Sequence, residues 1–288
     1  MVISRAYAFN SGNTISGTRN VGGISAQIEN VNFQDGNEWV NGPDESLGYI
    51  ICAKKPNVVI KNIIKNGLIL HLDAGNSGSY PGYGNIWYDI SGNEHHAYGD
   101  PSAAGSGYSD SRFPIHQNTD NGRFYFDGSK GLTILTDLGS HTELTADFWL
   151  YKIGGTIDYI FDARNNGGSW WLSDYLSHNI NIHGALEADD PVTYTSSSNW
   201  WGKWINIVIK SNSSGSELWI DGENINDSRL KSSSSLNEAL GQYFRIGNRY
   251  TSSGRWYGYF ASIRYYNRVL SDSELLHNYN SEKGRFGL

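Results

Sequence analysis

The sequence predicts an all-β protein: an antiparallel two-sheet sandwich with a short C-terminal helix, preceded by a small N-terminal β unit. Three observations carry this reading. Short apolar segments with alternating character recur between turn residues from Gly67 to the C-terminus, which is the pattern of a sandwich or barrel. The composition is rich in Gly (34), Tyr (19) and Trp (10) and only 18% charged, which suits strands and turns better than long helices. The one clear helix signal, Ser271-Asp272-Ser273-Glu274, stands close to the C-terminus and has the form of a capping box.

Residues 1–56 read as the N-terminal β unit, through ISRAYAF, the turn Asn10-Ser11-Gly12-Asn13, TISGTRNVGGISAQI and ESLGYIICA. A unit of this size buries little surface alone and leans on a neighbour or an oligomeric partner. We therefore read it as an anchoring unit, with Trp39 and Tyr49 as its docking residues. Residues 57–66, within PNVVIKNIIKN, lack Gly and Ser and read as a connecting strand. Residues 67–288 form the sandwich, with strand signals in GLILHLDA, GRFYFDG, TADFWLYKI, DYIFDAR, WWLSDY, INIVIK, SELWIDG, YFRIGN and GYFASIRYYNR.

In INIVIK, Ile205, Ile207 and Ile209 alternate with Asn206, Val208 and Lys210, and SELWI places Leu218 and Ile220 on one face. This predicts a hairpin with one buried side. Asp221-Gly222 then supplies a type I′ turn, and the polar strand after it belongs at an edge. The helix is expected from Asp272 to Tyr279, with Leu270 and Leu275 as a hydrophobic staple across its start.

A formal net charge of -7 without a Lys/Arg cluster removes the electrostatic footprint of a nucleic-acid binder. The single cysteine, Cys52, rules out an internal disulfide and multi-cysteine metal sites. No apolar run approaches the ~20 residues that cross a bilayer, and the N-terminus lacks a signal-peptide pattern. The expectation is a protein with neither signal peptide nor transmembrane segment.

The segments GLILHLDAGNSGSYPG, WYDISGN, FDGS, ADFWL, WINIVI, ELWIDGE, FRIGNR and GYFASIRYYNRVLSDSELLHNYN, in this order, resemble laminin-G-like, concanavalin A-like jelly-roll domains of phage structural proteins and bacterial surface proteins. The resemblance covers about Ile60 to Leu288, and the terminal strand and helix with KGRFGL are its most specific part. WVNGPDESLGYIICA is similar to units that precede such domains in phage tail and capsid-surface proteins. The resemblance implies a laminin-G/concanavalin A-like jelly roll that binds glycans or proteins, or has a purely structural role on a particle surface. It places the chain on the virion surface, in contact with other virion proteins through its N-terminal unit and oligomeric on the particle.

Catalysis is not expected. Retaining glycosidases need two carboxyl groups about 5 Å apart, and the nearest approach, Glu187-Ala188-Asp189-Asp190, runs into Pro191 and reads as a loop. His95 and His96 are adjacent, so on a strand they face opposite ways, and His71, His116, His141, His178 and His183 follow no fixed spacing. The resemblance raises calcium at Asp73, Asp89 and Asn93; the ordinary use of these residues as turn caps is preferred, because no dense array of acids concentrates charge. Aromatic pairs are the carbohydrate-binding candidates. In Trp170-Trp171 and Trp200-Trp201 an extended backbone sends the two rings to opposite faces, leaving one for solvent or a sugar. Trp87, within YPGYGNIWY, is expected in the core.

Three functions follow: a phage virion accessory protein (tail, fibre or capsid surface) with a lectin-like domain; a structural decoration protein without glycan binding; and, disfavoured, a polysaccharide-degrading glycosidase.

Overall fold

A computed structural model describes residues 63–100, 109–155, 158–163, 200–225, 244–249 and 255–288 with their side chains, and the backbone at 14–21, 24–32, 157, 171–175, 179–183, 192–195 and 238–239. The chain divides into two compact units, Met1–Ile60 and Lys61–Leu288. In the first, β1 (Thr14–Val21) and β2 (Ile24–Asn32) form an antiparallel hairpin with an irregularity between Ile15 and Gly17.

The second unit holds β3 (Leu68–Asp73), β4 (Ile86–Trp87), β5 (Ala97–Gly99), β6 (Ile115–Gln117), β7 (Arg123–Asp127), β8 (Leu132–Ile134) and β9 (Ser140–His141). There follow β10 (Leu144–Gly154), β11 (Ile157–Asp162), β12 (Trp171–Tyr175), β13 (Asn179–His183), β14 (Val192–Thr195) and β15 (Trp204–Asn212). The last are β16 (Gly215–Ile220), β17 (Glu223–Asn224), β18 (Glu238–Ala239), β19 (Phe244–Ile246), β20 (Tyr257–Tyr266) and the helix α1 (Asp272–Glu282). One eight-stranded sheet runs β17-β16-β15-β10-β20-β7-β6, and β3 pairs with the second half of β20. The other runs β14-β13-β12-β11-β19-β8-β5-β4. All these pairings are antiparallel, and neighbours far apart in sequence, such as β10 and β20, mark the crossovers of a jelly roll.

Alternation sorts each strand. Phe148, Leu150, Ile207, Ile209 and Leu218 from the first sheet meet Phe161, Phe244 and Ile246 from the second in one core, and Trp87 is fully buried there. Tyr265 stands edge-on to Phe148, Phe161 and Phe244, with centroids 5.8, 6.0 and 5.1 Å away.

The hairpin β15-β16 departs from the one-sided expectation: Asn206, Val208 and Lys210 are buried as well. The reason is α1, which lies over the outer face. Val208, Trp219 and Leu275 form a small second core, and Lys210 pairs with Asp272 (2.6 Å) and Glu217 (2.8 Å). At the turn, Asp221 and Gly222 have φ of 51° and 80°, as a type I′ turn requires, and the exposed β17 follows at the sheet edge.

The capping box forms: Ser271 Oγ accepts from Glu274 N, and Glu274 Oε2 accepts from Ser271 N at 2.9 Å. Leu270 and Leu275 do not staple to each other. Leu270 packs with Leu68 and Tyr266, and Leu275 with Val208 and Trp219, so they pin the helix start at two separate places. The helix also runs past Tyr279 to Glu282, where Glu282 reaches the buried Arg264. A 3-10 turn, Lys283–Phe286, then carries Phe286 onto the sheet.

Candidate ligand-binding face

The outer face of the first sheet carries a row of rings that four strands assemble, with Ile115 of a fifth at its end. Residues directly opposed across strands share a face, and the register pairs Trp204 with Tyr151, Tyr151 with Tyr259, Tyr259 with Tyr125, and Tyr125 with Ile115. The residues beside them in each strand, Ile205, Leu150, Phe260, Phe124 and Phe126, point into the core. Centroids along the row are 5.8 Å (Tyr151–Trp204), 5.5 Å (Tyr151–Tyr259) and 5.3 Å (Tyr125–Tyr259), with Tyr257 6.3 Å from Tyr125. The planes are inclined by 40° to 72°, which is the tilted and edge-to-face packing that aromatic quadrupoles favour, worth about 0.5–1.5 kcal/mol per pair.

Polar groups frame the row. The Arg123 guanidinium lies 3.9 Å over the Tyr259 ring, held by Gln117 Oε1 (2.9 Å) and Asp120 Oδ2 (2.8 Å). The indole N–H of Trp204 donates to the same Asp120 oxygen at 3.1 Å. Partial burial and a hydrogen bond with Tyr257 hold the Tyr125 phenol above its usual range.

The C-terminal segment covers one end of this face and leaves the other open. Phe286 stacks on Trp149 at 4.3 Å and contacts Trp204 at 4.7 Å, while Tyr279 stacks on Trp149 at 5.7 Å. Trp204 is accordingly buried, whereas Tyr125, Tyr151, Tyr257 and Tyr259 are half-buried. Ile115 is 51% and Ile153 37% exposed. Contiguous exposed apolar surface of this kind marks an interaction site.

Beneath the helix lies a charged layer. Arg264 is fully buried between Asp147 (2.9 Å) and Glu282 (2.5 Å). Burial opposes its charge, but these carboxylates hold it above its ordinary range. Its cross-strand neighbour His71 is lowered to about 3 by burial and by that guanidinium.

The residues singled out from sequence fall as follows. Trp170, Trp39, Tyr49 and the Glu187–Asp190 segment lie outside the described residues. Trp171 sits on β12 opposite Asp162 and His183 in the second sheet. Trp200 is a core residue, 3% exposed, stacked on Trp256 at 6.5 Å. Trp201 is half-buried against the same core, with Lys152 Nζ 5.6 Å from its ring. The opposite-face expectation does not apply there because residues 201–202 form a turn, with Gly202 at φ 77°, and the strand starts at Trp204.

The proposed calcium ligands are committed to internal contacts. Asp89 accepts from His71 N and Ser91 N through Oδ1 and from Ser91 Oγ and His95 N through Oδ2. Asp73 accepts from Gly75 N and is neutralised by Arg285 at 2.7 Å, and Asn93 Nδ2 donates to the carbonyls of Leu68 and Ile69. A carboxylate saturated with donors and another beside a guanidinium do not fit a hard cation, which needs free oxygens. Among the described residues no three His, Cys, Asp or Glu side chains gather as metal ligands.

Two antiparallel sheets face to face, joined by jelly-roll crossovers and bearing a terminal helix on one outer face, define a lectin-type β-sandwich. The family model described as the concanavalin A-like lectin/glucanases superfamily matches residues 126–276, just over half of the chain, and the chain belongs to that superfamily. The solved botulinum neurotoxin type G receptor-binding domain aligns with a TM-score of 0.52 at 15% identity, over 75% of this chain and 51% of its own. A botulinum neurotoxin type C structure, described by the dependence of cell entry on two ganglioside molecules, aligns at 0.53 and 13% identity, over 76% and 52%. Domain 4 of AbnA, a GH43 extracellular arabinanase from Geobacillus stearothermophilus, solved with arabinotriose, aligns at 0.50 and 14% identity, over 75% of this chain and 98% of that domain. The chain spans about half the length of the toxin chains it matches, and at these identities the likeness is one of fold. No curated protein matches the sequence.

Proposed function

We propose that the chain is a non-catalytic carbohydrate-recognition module, carried as an accessory protein on the surface of a phage virion. The observation that carries the recognition is the half-open row of Tyr151, Tyr259, Tyr125 and Tyr257, framed by Arg123 and Gln117. Ring faces take the apolar side of a sugar, while phenol and planar polar groups take its hydroxyls. Membership of the lectin/glucanase superfamily supports the reading, as does the likeness to an arabinanase domain solved with arabinotriose.

The buried carboxylates support binding without turnover. Asp100, Asp147 and Asp158 are each paired with Arg245, Arg264 or Lys152. A carboxylate held in such a pair is not the free acid or nucleophile that retaining hydrolysis uses. The virion placement rests on the resemblance of the order of segments to phage structural proteins and on an N-terminal unit read as the dock to other virion proteins.

A glycan array tests recognition: binding that Tyr125→Ala and Tyr257→Ala abolish is expected, whereas a blank array leaves a decoration protein. Release of reducing ends that Glu187→Gln stops would replace binding by hydrolysis. For the placement, mass spectrometry of purified particles is expected to find the chain. Deleting residues 1–56 is expected to leave a folded, unattached sandwich, and loss of folding would contradict the two-part reading.

A further inference from the structure

The strands that carry Tyr125 and Tyr257 lead directly into a group of cations. Asp127 is the cross-strand partner of Tyr257. The turn that follows Asp127 is tied to the strand entry by Gly128 N to the Trp256 carbonyl (3.1 Å) and by Arg255 to the Ser129 carbonyl (3.2 Å). Lys130 Nζ reaches the Ser111 carbonyl at 2.8 Å, and Gly131 N donates to the Arg112 carbonyl at 3.1 Å. Three backbone segments thus bring Arg112, Lys130 and Arg255 to one end of the sandwich. Arg255 lies two residues before Tyr257, about 7 Å along an extended chain.

The local acids do not balance these charges. Asp100 is bound by Arg245 and Asn248. Asp127 accepts from the Ser129 N–H and hydroxyl and offsets part of the Lys130 charge. Asp110 stands two residues before Arg112 in a 3-10 turn, where 3.0 residues per turn put the two side chains on different faces. Among the described residues neither Arg112 nor Arg255 pairs with a carboxylate, and residues 101–108 and 250–254 contain no Asp or Glu. Burial and the facing Arg112 lower the proton affinity of Arg255, and Asp100 only partly restores it. In a chain of net charge -7 this is a local excess of guanidinium, the group best suited to bind a carboxylate or sulfate in two-point fashion.

Resting on the carbohydrate reading above, we propose that the glycan this chain recognises is acidic, bearing a carboxylate or sulfate that Arg112, Arg255 and Lys130 bind while its sugar rings lie on the neighbouring tyrosines. The full chain is titrated with three probes of matched length: a neutral dextran oligomer, a sulfated dextran oligomer and an oligogalacturonate. At least one acidic probe binds tenfold or more tightly than the neutral one, and the sulfate and carboxylate arms separate the two sources of the charge. The preference shrinks as salt rises from about 0.05 to 0.5 M, where the screening length falls severalfold. Arg112→Gln with Lys130→Gln, both half-buried side chains, reduces acidic binding tenfold while the melting temperature and any neutral binding stay unchanged. Arg255→Lys, which keeps the charge but loses the fork, gives an intermediate loss.

Equal binding of neutral and acidic probes overturns the acidic specificity but leaves the carbohydrate reading standing. A preference that survives the double substitution overturns the site. Binding of a single-stranded DNA oligomer as tight as that of the sulfated probe overturns saccharide recognition in favour of bare charge. No binding of any probe, with a blank array, defeats both readings together.

Discussion

Replacing Phe286 with alanine removes one of the rings that pack the C-terminal segment on the sheet. Phe286 is 9% exposed and lies against Trp149 at 4.3 Å and Trp204 at 4.7 Å. Truncating a buried Phe costs about 3–5 kcal/mol, which already contains the transfer of the ring, the cavity and the aromatic pairing. The residual exposure means that part of the ring already meets solvent, so the lower bound, about 3 kcal/mol, applies. For a unit of this size that corresponds to a fall of roughly 6–12 °C in melting temperature. Equilibrium urea unfolding followed by tryptophan fluorescence reads the change, with the midpoint shifted and the slope unchanged. A loss below about 1 kcal/mol would refute the view that this contact holds the helix on the sheet.

Two further perturbations test the packing. His71 is neutral when folded, with its pKa lowered from 6.5 to about 3; the unfolded chain therefore binds more protons between these values, and stability falls as pH drops through that window. His71→Phe is expected to flatten the slope of melting temperature between about pH 6.5 and 4, and an imidazole NMR titration with a midpoint near 6.5 would contradict it. At Gly222, φ is 80° and an added Cβ would meet the Tyr279 ring at 2.8 Å, so Gly222→Ala combines a left-handed backbone with a steric clash. A loss of about 2 kcal/mol is expected by urea unfolding, and a neutral result would mean that the turn and the helix do not pack as described.

The fold was legible because core alternation is local. Ile205, Ile207 and Ile209 fall on one face from the sequence alone, and the helix start is written in Ser271 and Glu274. What lies over the outer face was not legible: Asn206 and Lys210 look like solvent-facing residues until Asp147, Asp272 and Glu217 are brought to them. The opposite-face rule for the tryptophan pair at 200–201 presumes an extended chain, and the turn at 201–202 breaks that premise.

The aromatic row was missed because its members are spread from Ile115 to Tyr259 and meet only through strand register. A signal was nevertheless present. In RFYFD and in YGYF, tyrosines alternate with core phenylalanines, which puts large rings on the face turned away from the core. The cation group escaped for a similar reason, since Arg112, Lys130 and Arg255 are far apart in sequence and form no cluster along the chain.

The most direct test is a crystal structure of the chain with the oligosaccharide it binds best. Sugar rings lying on Tyr125, Tyr257 and Tyr259 are expected. A well-ordered ligand on the second sheet, around β12, with those tyrosines bare, would contradict the account.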